Sequence, residues 1–150
     1  MNVGDVAPNF ILKDESGKDF ELYKNLDTKI LLVFYPKDDT PVCSTQLSEY
    51  NDNFDEFIQN GIKVLGINAG TVQSHLDFCN KLNIKFPLLA DKDKIVSKQY
   101  DAINFLGMNK RLIVIIGTDR KVLWTASSLP VTFIKTKEIV EKVKSLTVKK

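Results

Sequence analysis

Two cysteines in 150 residues are too few for a disulfide scaffold, so the chain must be held together by its core, which a chain of this length can build as one domain (1–150). A formal charge of +2, with lysines scattered through the chain, leaves no basic patch of the kind nucleic acid needs. The one locally basic stretch, "KVKSLTVKK", reads as a solvated helix end. Long hydrophobic runs are also missing. The apolar stretches "ILLVFY" and "LIVII" reach only about a quarter of a membrane span. The opening "MNVGDVAPNF" has neither the basic start nor the apolar run of a secretion signal, so the expected compartment is a reducing cytoplasm. There, two cysteines suggest redox chemistry, metal binding or plain packing. One histidine and two dispersed cysteines make a poor zinc site, which wants four ligands in tight pairs.

What the chain does contain is an alternation of short apolar runs and amphipathic stretches, with no repeat or low-complexity block. "FILKDESGKDFEL" (10–22) predicts a hairpin around Glu15-Ser16-Gly17-Lys18. "ILLVFY" (30–35) predicts a strand covered on both faces. Leu47, Tyr50, Phe54, Phe57 and Ile58 then recur at helical spacing up to Gly61. "IKVLGIN" (62–68) predicts the next strand, and Val72, Leu76, Cys79 and Leu82 the inward stripe of the next helix. "FPLLAD" (86–91) reads as a short strand and "KDKIVSKQY" as a short helix or turn. "LIVIIG" and "VLWTA" form an expected hairpin, with Trp124 as a packing residue. Residues 136–147 close the chain as a helix with Ile139, Val140, Val143 and Leu146 inward. This order argues for an α/β fold with a mixed sheet flanked by helices.

Such sheets place their chemistry outside the carboxyl ends of the strands. The first strand-to-helix junction holds "YPKDDTPVCSTQ", in which Thr40 can cap a helix that begins with Pro41 and puts Cys43 at its third position. Backbone N–H groups of that turn lack intrahelical partners, and the helix dipole adds about half a positive charge. Both favour a thiolate. Ionising a free thiol fully would yield at most about 30-fold more nucleophile at pH 7. Rapid catalysis therefore needs further groups to hold the substrate and stabilise charge on the leaving atom: the amides of Val42 and Cys43, the Thr40 hydroxyl and a cation from elsewhere. Read from spacing alone, Cys43 is either this nucleophile or a small buried hydrophobe, Pro36 and Pro41 are equally turn formers, and Thr40 is equally a cap.

"FYPKDDTPVCSTQ" resembles the active-site signature of peroxiredoxins, Pro-x-x-x-Thr-x-x-Cys, through Pro36, Thr40 and Cys43. With "VGDVAPNF", "KVLGIN" and "KFPLLAD", it is most similar to the bacterioferritin comigratory protein or peroxiredoxin Q group. The resemblance implies a thioredoxin-like fold and a cysteine peroxidase that needs no cofactor. Cys43 would attack a hydroperoxide and become a sulfenic acid. Thr40 would orient the peroxide, Pro36 would shield the site, and Arg111, just before "LIVIIG", would stabilise the thiolate and the transition state.

Three positions depart from the family pattern: Gln46 replaces a usual glutamate, Val42 a common glycine, and Ser48 a frequent second cysteine. Cys79 is then the internal candidate to resolve the sulfenic acid as a disulfide, similar to group members that carry that cysteine in the following helix. A disulfide needs Cα atoms about 4.4–6.8 Å apart, so local unwinding is expected. Cys79 on its apolar stripe is alternatively core, and His75, one turn earlier, is expected to be an exposed polar residue. By resemblance the reductant is thioredoxin or a similar dithiol, and the protein is expected to be a monomer.

Two rival functions stay open. A thiol–disulfide oxidoreductase is disfavoured by Thr40, which stands where such a motif would have its first cysteine. A non-catalytic member of the fold, acting as a binding or chaperone module, is left possible by Gln46.

Overall fold

The protein was analysed as a computed structural model that describes residues 1–128 and 132–148. Seven strands form one mixed sheet: β1 (Ile11–Lys13), β2 (Asp19–Glu21), β3 (Lys29–Phe34), β4 (Ile62–Asn68), β5 (Leu88–Ala90), β6 (Arg111–Ile116) and β7 (Val122–Ser128). Their spatial order is β2-β1-β5-β4-β3-β6-β7. The central β5, β4 and β3 run parallel, β6 is antiparallel to β3, and the β1–β2 and β6–β7 pairs are hairpins. Among the described residues, five α-helices pack on this frame: α1 (Pro41–Asp52), α2 (Phe54–Gln59), α3 (Val72–Leu82), α4 (Ile95–Gln99) and α5 (Thr136–Val148).

The apolar runs belong where a strand is covered twice. Along β3, Leu31 and Val33, followed by Tyr35, join the cluster under α1, α2, α3 and α5. Ile30, Leu32 and Phe34 join the opposite cluster, with Leu22, Val96 and Tyr100. Each fully buried aliphatic side chain contributes roughly 1.5–3 kcal/mol, so the two-period strand secures both layers at once. β6 alternates in the same way, with Ile113 and Ile115 on the α1 side. Parallel strands also approach closely here. A Cβ on Gly66 would lie 2.6 Å from Leu88 Cδ2 and 3.2 Å from Tyr35 Cε1, so any larger residue there would have to displace the buried Leu88 side chain.

The structure corrects two expectations. The helix after Cys43 is not continuous to Gly61 but breaks at Asn53, which has φ −106° and ψ 20°. Its side-chain amide bonds back to the Glu49 carbonyl at 2.8 Å, a local competition that ends helices, and in α2 beyond the break Phe57 is buried while Ile58 is exposed. His75 is not an exposed helix residue: it is fully buried, and with Phe78 and Cys79 it forms the buried face of α3, whereas Val72 and Leu76 are half-buried.

Candidate active site

Cys43 lies at the third residue of α1 and is 1% exposed. Thr40 occupies the N-cap with extended backbone, and Pro41 opens the helix. The Thr40 side chain makes no capping bond, its hydroxyl instead pointing to the Lys37 carbonyl at a long 3.4 Å. A hydroxyl so weakly held has capacity for a ligand.

The cation comes from the strand next to β3. Arg111 opens β6 in phase with Ile113 and Ile115, which turns its side chain toward α1. Arg111 is 4% exposed; its Nη2 is 3.4 Å from Cys43 Sγ, and its Nη1 donates to Gln46 Oε1 at 2.6 Å. The guanidinium thus sets a fixed positive charge beside the sulfur. Gln46 in turn donates through Nε2 to the Tyr50 hydroxyl at 3.3 Å, and that hydroxyl donates to the Ile134 carbonyl. Because the Tyr50 hydrogen is already committed to Ile134, its oxygen presents a lone pair to position 46. A side chain with an acceptor at one end and a donor at the other satisfies both Arg111 and Tyr50, and glutamine is that side chain. Burial pushes the Tyr50 phenol well above its ordinary pKa, so it stays neutral.

Pro36 is half-buried two residues beyond β3. It helps line an open cavity of about 310 Å³ with Lys37, Asn68, Lys94 and Met108.

Cys79 is a free thiol in α3, 8% exposed, in the same core cluster as Cys43. It borders a separate cavity of about 490 Å³ with Glu15, Asn83, Lys85 and Phe86. Burial, with smaller contributions from Glu15 and Asp38, pushes its thiol up to about 12. In this conformation Cys79 is protonated at neutral pH and a weak nucleophile.

The structure thus gathers Cys43, Arg111 and Gln46, places Thr40 and Pro36 on the loop leading into α1, and keeps Cys79 on a neighbouring helix. Sequence reasoning gave no role to Tyr50 and none to Asp38, whose buried carboxylate lies in the same loop. An acidic residue between two prolines, followed by a second one, was the available signal.

Comparison with known proteins identifies the group. Residues 3–125 match the AhpC/TSA family. A peroxiredoxin bcp of Coxiella burnetii is 39% identical over 100 residues, covering 67% of this chain and 66% of that protein. The chloroplastic peroxiredoxin Q of Triticum aestivum is 37% identical over 67% of this chain, a stretch that spans 46% of the wheat protein. The crystal structure of a cysteine-to-serine mutant of Xylella fastidiosa PrxQ superposes with a TM-score of 0.89 at 29% identity, covering 98% of both chains. The fold is therefore the thioredoxin-like one expected, and the chain belongs to the AhpC/TSA family, in its bacterioferritin comigratory protein and peroxiredoxin Q group.

Proposed function

We infer that this chain is a thiol-dependent peroxidase acting on hydrogen peroxide and organic hydroperoxides. The observation that carries the reading is the contact between Arg111 Nη2 and Cys43 Sγ at 3.4 Å, at the opening turn of α1. The Cys43 thiolate attacks one peroxide oxygen, the O–O bond breaks, and the second oxygen leaves as water or alcohol after taking a proton. Sulfur is oxidised to a sulfenic acid, and no metal or flavin is required. Arg111 stabilises the sulfur anion and the charge that develops on the peroxide. The Thr40 hydroxyl orients the peroxide, and Pro36 limits access of water to the sulfur.

Cys79 then resolves the intermediate. Its thiol displaces the sulfenic oxygen as water and forms a Cys43–Cys79 disulfide, which a thioredoxin-like dithiol reduces. Burial of both thiols means that α1, α3 or both unwind locally before this bond can form. With both cysteines in one chain, the unit works as a monomeric single domain, and its two free thiols suit a reducing cytoplasm. Among the described residues, no helix is long and apolar enough to cross a membrane.

The decisive experiment is peroxide consumption coupled to thioredoxin, run beside insulin reduction, for wild type, Cys43→Ser and Cys79→Ser. Turnover should vanish in Cys43→Ser and persist in part in Cys79→Ser when a small thiol is supplied. One equivalent of peroxide should convert reduced wild type to a Cys43–Cys79 disulfide by mass spectrometry. Insulin reduction without peroxide turnover would instead make the protein a thiol–disulfide oxidoreductase, and neither activity would leave a binding module.

A further inference from the structure

Between Pro36 and Thr40 the chain dips into the protein. Lys37 and Asp39 are exposed, but Asp38 is buried and its carboxylate is fully engaged. Oδ1 accepts the Tyr35 hydroxyl at 2.6 Å and the Asn68 amide at 3.2 Å. Oδ2 accepts the Ser74 hydroxyl at 2.7 Å and lies 2.6 Å from His75 Nδ1. Across the ring, His75 Nε2 lies 3.0 Å from the Leu89 carbonyl oxygen. A carbonyl only accepts, so Nε2 carries a hydrogen, and the carboxylate asks the same of Nδ1. Opposite an ionised Asp38, the ring meets both acceptors only as an imidazolium. Burial by itself would raise the Asp38 pKa, but hydrogen bonds from His75 and Tyr35 outweigh it and hold it below the ordinary 3.8. The backbone packs closely on the pair at Gly70, where a Cβ would lie 2.9 Å from Asn68 Oδ1, 3.0 Å from His75 Cε1 and 3.1 Å from Asp38 Oδ2.

A buried ion pair is a poor way to gain stability, because apolar side chains of similar volume often serve as well or better. What this pair achieves is placement. It ties the middle of the 36–40 loop to the residue after β3, the end of β4, the first turn of α3 and β5. Directly afterwards Asp39 turns the chain at φ 59°, and Thr40 starts α1.

We propose that Asp38 and His75 are a positioning pair that holds Pro36 and Thr40 in place over Cys43 for reaction with a hydroperoxide. The assignment rests on the peroxidase reading above. Neither residue bonds to the sulfur, which faces Arg111 at the opening turn of α1. Losing the pair should therefore slow reaction with a peroxide, which must be oriented, and spare reaction with iodoacetamide, which needs only a thiolate.

Two variants separate placement from charge. In Asp38→Asn the amide can donate to Ser74 and to a neutral His75 ring, while its oxygen still accepts from Tyr35 and Asn68, so the tie survives without the charges. In Asp38→Leu/His75→Leu both charges leave together and the tie is cut. By stopped flow, the double variant should react with hydrogen peroxide at least tenfold more slowly, with an unchanged pH profile of Cys43 alkylation. Asp38→Asn should stay within threefold of wild type in both assays. A double variant that reacts with peroxide at the wild-type rate overturns the proposal, as does parallel loss of peroxide and iodoacetamide reactivity. Should the double variant not fold, nitrogen NMR of the wild-type histidine decides: a ring hydrogen-bonded at both nitrogens supports the pair, and a ring without a hydrogen bond at Nδ1 overturns it. A wild type that consumes no hydroperoxide would defeat the peroxidase reading instead and leave the histidine spectrum unaffected.

Discussion

Arg111 Nη2 and Cys43 Sγ stand 3.4 Å apart although 68 positions separate them in the chain. The meeting is produced by sheet geometry: β6 lies antiparallel beside β3, so the first residue of β6 adjoins the end of β3, from which the chain runs on into α1. In register, Leu112 pairs with Phe34, the last residue of β3.

Because the guanidinium serves sulfur and Gln46 at once, lysine is no substitute: a single ammonium cannot reproduce the fork. Arg111→Ala should lower the second-order rate with hydrogen peroxide by about 100-fold or more, the scale seen when one donor to a developing charge is removed. Arg111→Lys should recover little of that. Stopped-flow fluorescence of Trp124, which packs against the cluster holding both cysteines, measures it. A rate within threefold of wild type in Arg111→Ala would show the guanidinium to be idle.

Cys79 sets a pH-dependence with a defined sign. Its folded-state pKa, raised by burial to about 12 from an ordinary 9.0, means that the native protein keeps this proton more tightly than the unfolded chain. Its contribution to stability is complete below about pH 9 and is lost as pH rises toward about 12. Cys79→Ala should flatten urea-denaturation midpoints across that window relative to wild type. In the reduced wild type at pH 7, brief iodoacetamide treatment should label Cys43 and leave Cys79 unlabelled until urea is added. Equal labelling of both by mass spectrometry would contradict the raised pKa of Cys79, since exposure alone, 1% for Cys43 and 8% for Cys79, does not favour Cys43.

α1 is also bound to the closing helix. The Glu49 carboxylate accepts from Thr136 N at 3.1 Å and from Thr136 Oγ1 at 2.7 Å, placing a negative charge at the start of α5. Glu49→Ala should cost about 1–2 kcal/mol, as for loss of a helix cap or charged hydrogen bond. For a chain of this size that is a fall in melting temperature of roughly 2–8 °C, readable by calorimetry. An unchanged melting temperature would mean that water replaces the carboxylate without loss.

Much of this arrangement can be read along the chain. The residue types of "ILLVFY" and "IKVLGIN" put strands within a residue of where they lie, because a short run that is wholly or mainly apolar is best satisfied between two covered faces. Cys43 at the third helical position follows from Thr40 and Pro41. The break at Asn53 was hidden, since the apolar spacing of Phe54 and Phe57 continues in phase across it. His75 was misread because a lone polar side chain on a helix gives no sign of its partners. Those partners, Asp38 and Leu89, lie 37 positions before it and 14 after.

Local chemistry alone therefore determined the strands, the helix that opens at Thr40 and the cysteine in its first turn, since each depends on residues within a few positions of one another. Which cation faces that sulfur, why an amide suits position 46, and that a histidine and an aspartate meet in the interior were decided only when β6 and α3 packed beside α1. Contacts between segments dozens of residues apart depend on strand order and register, and no pattern within a single segment encodes those.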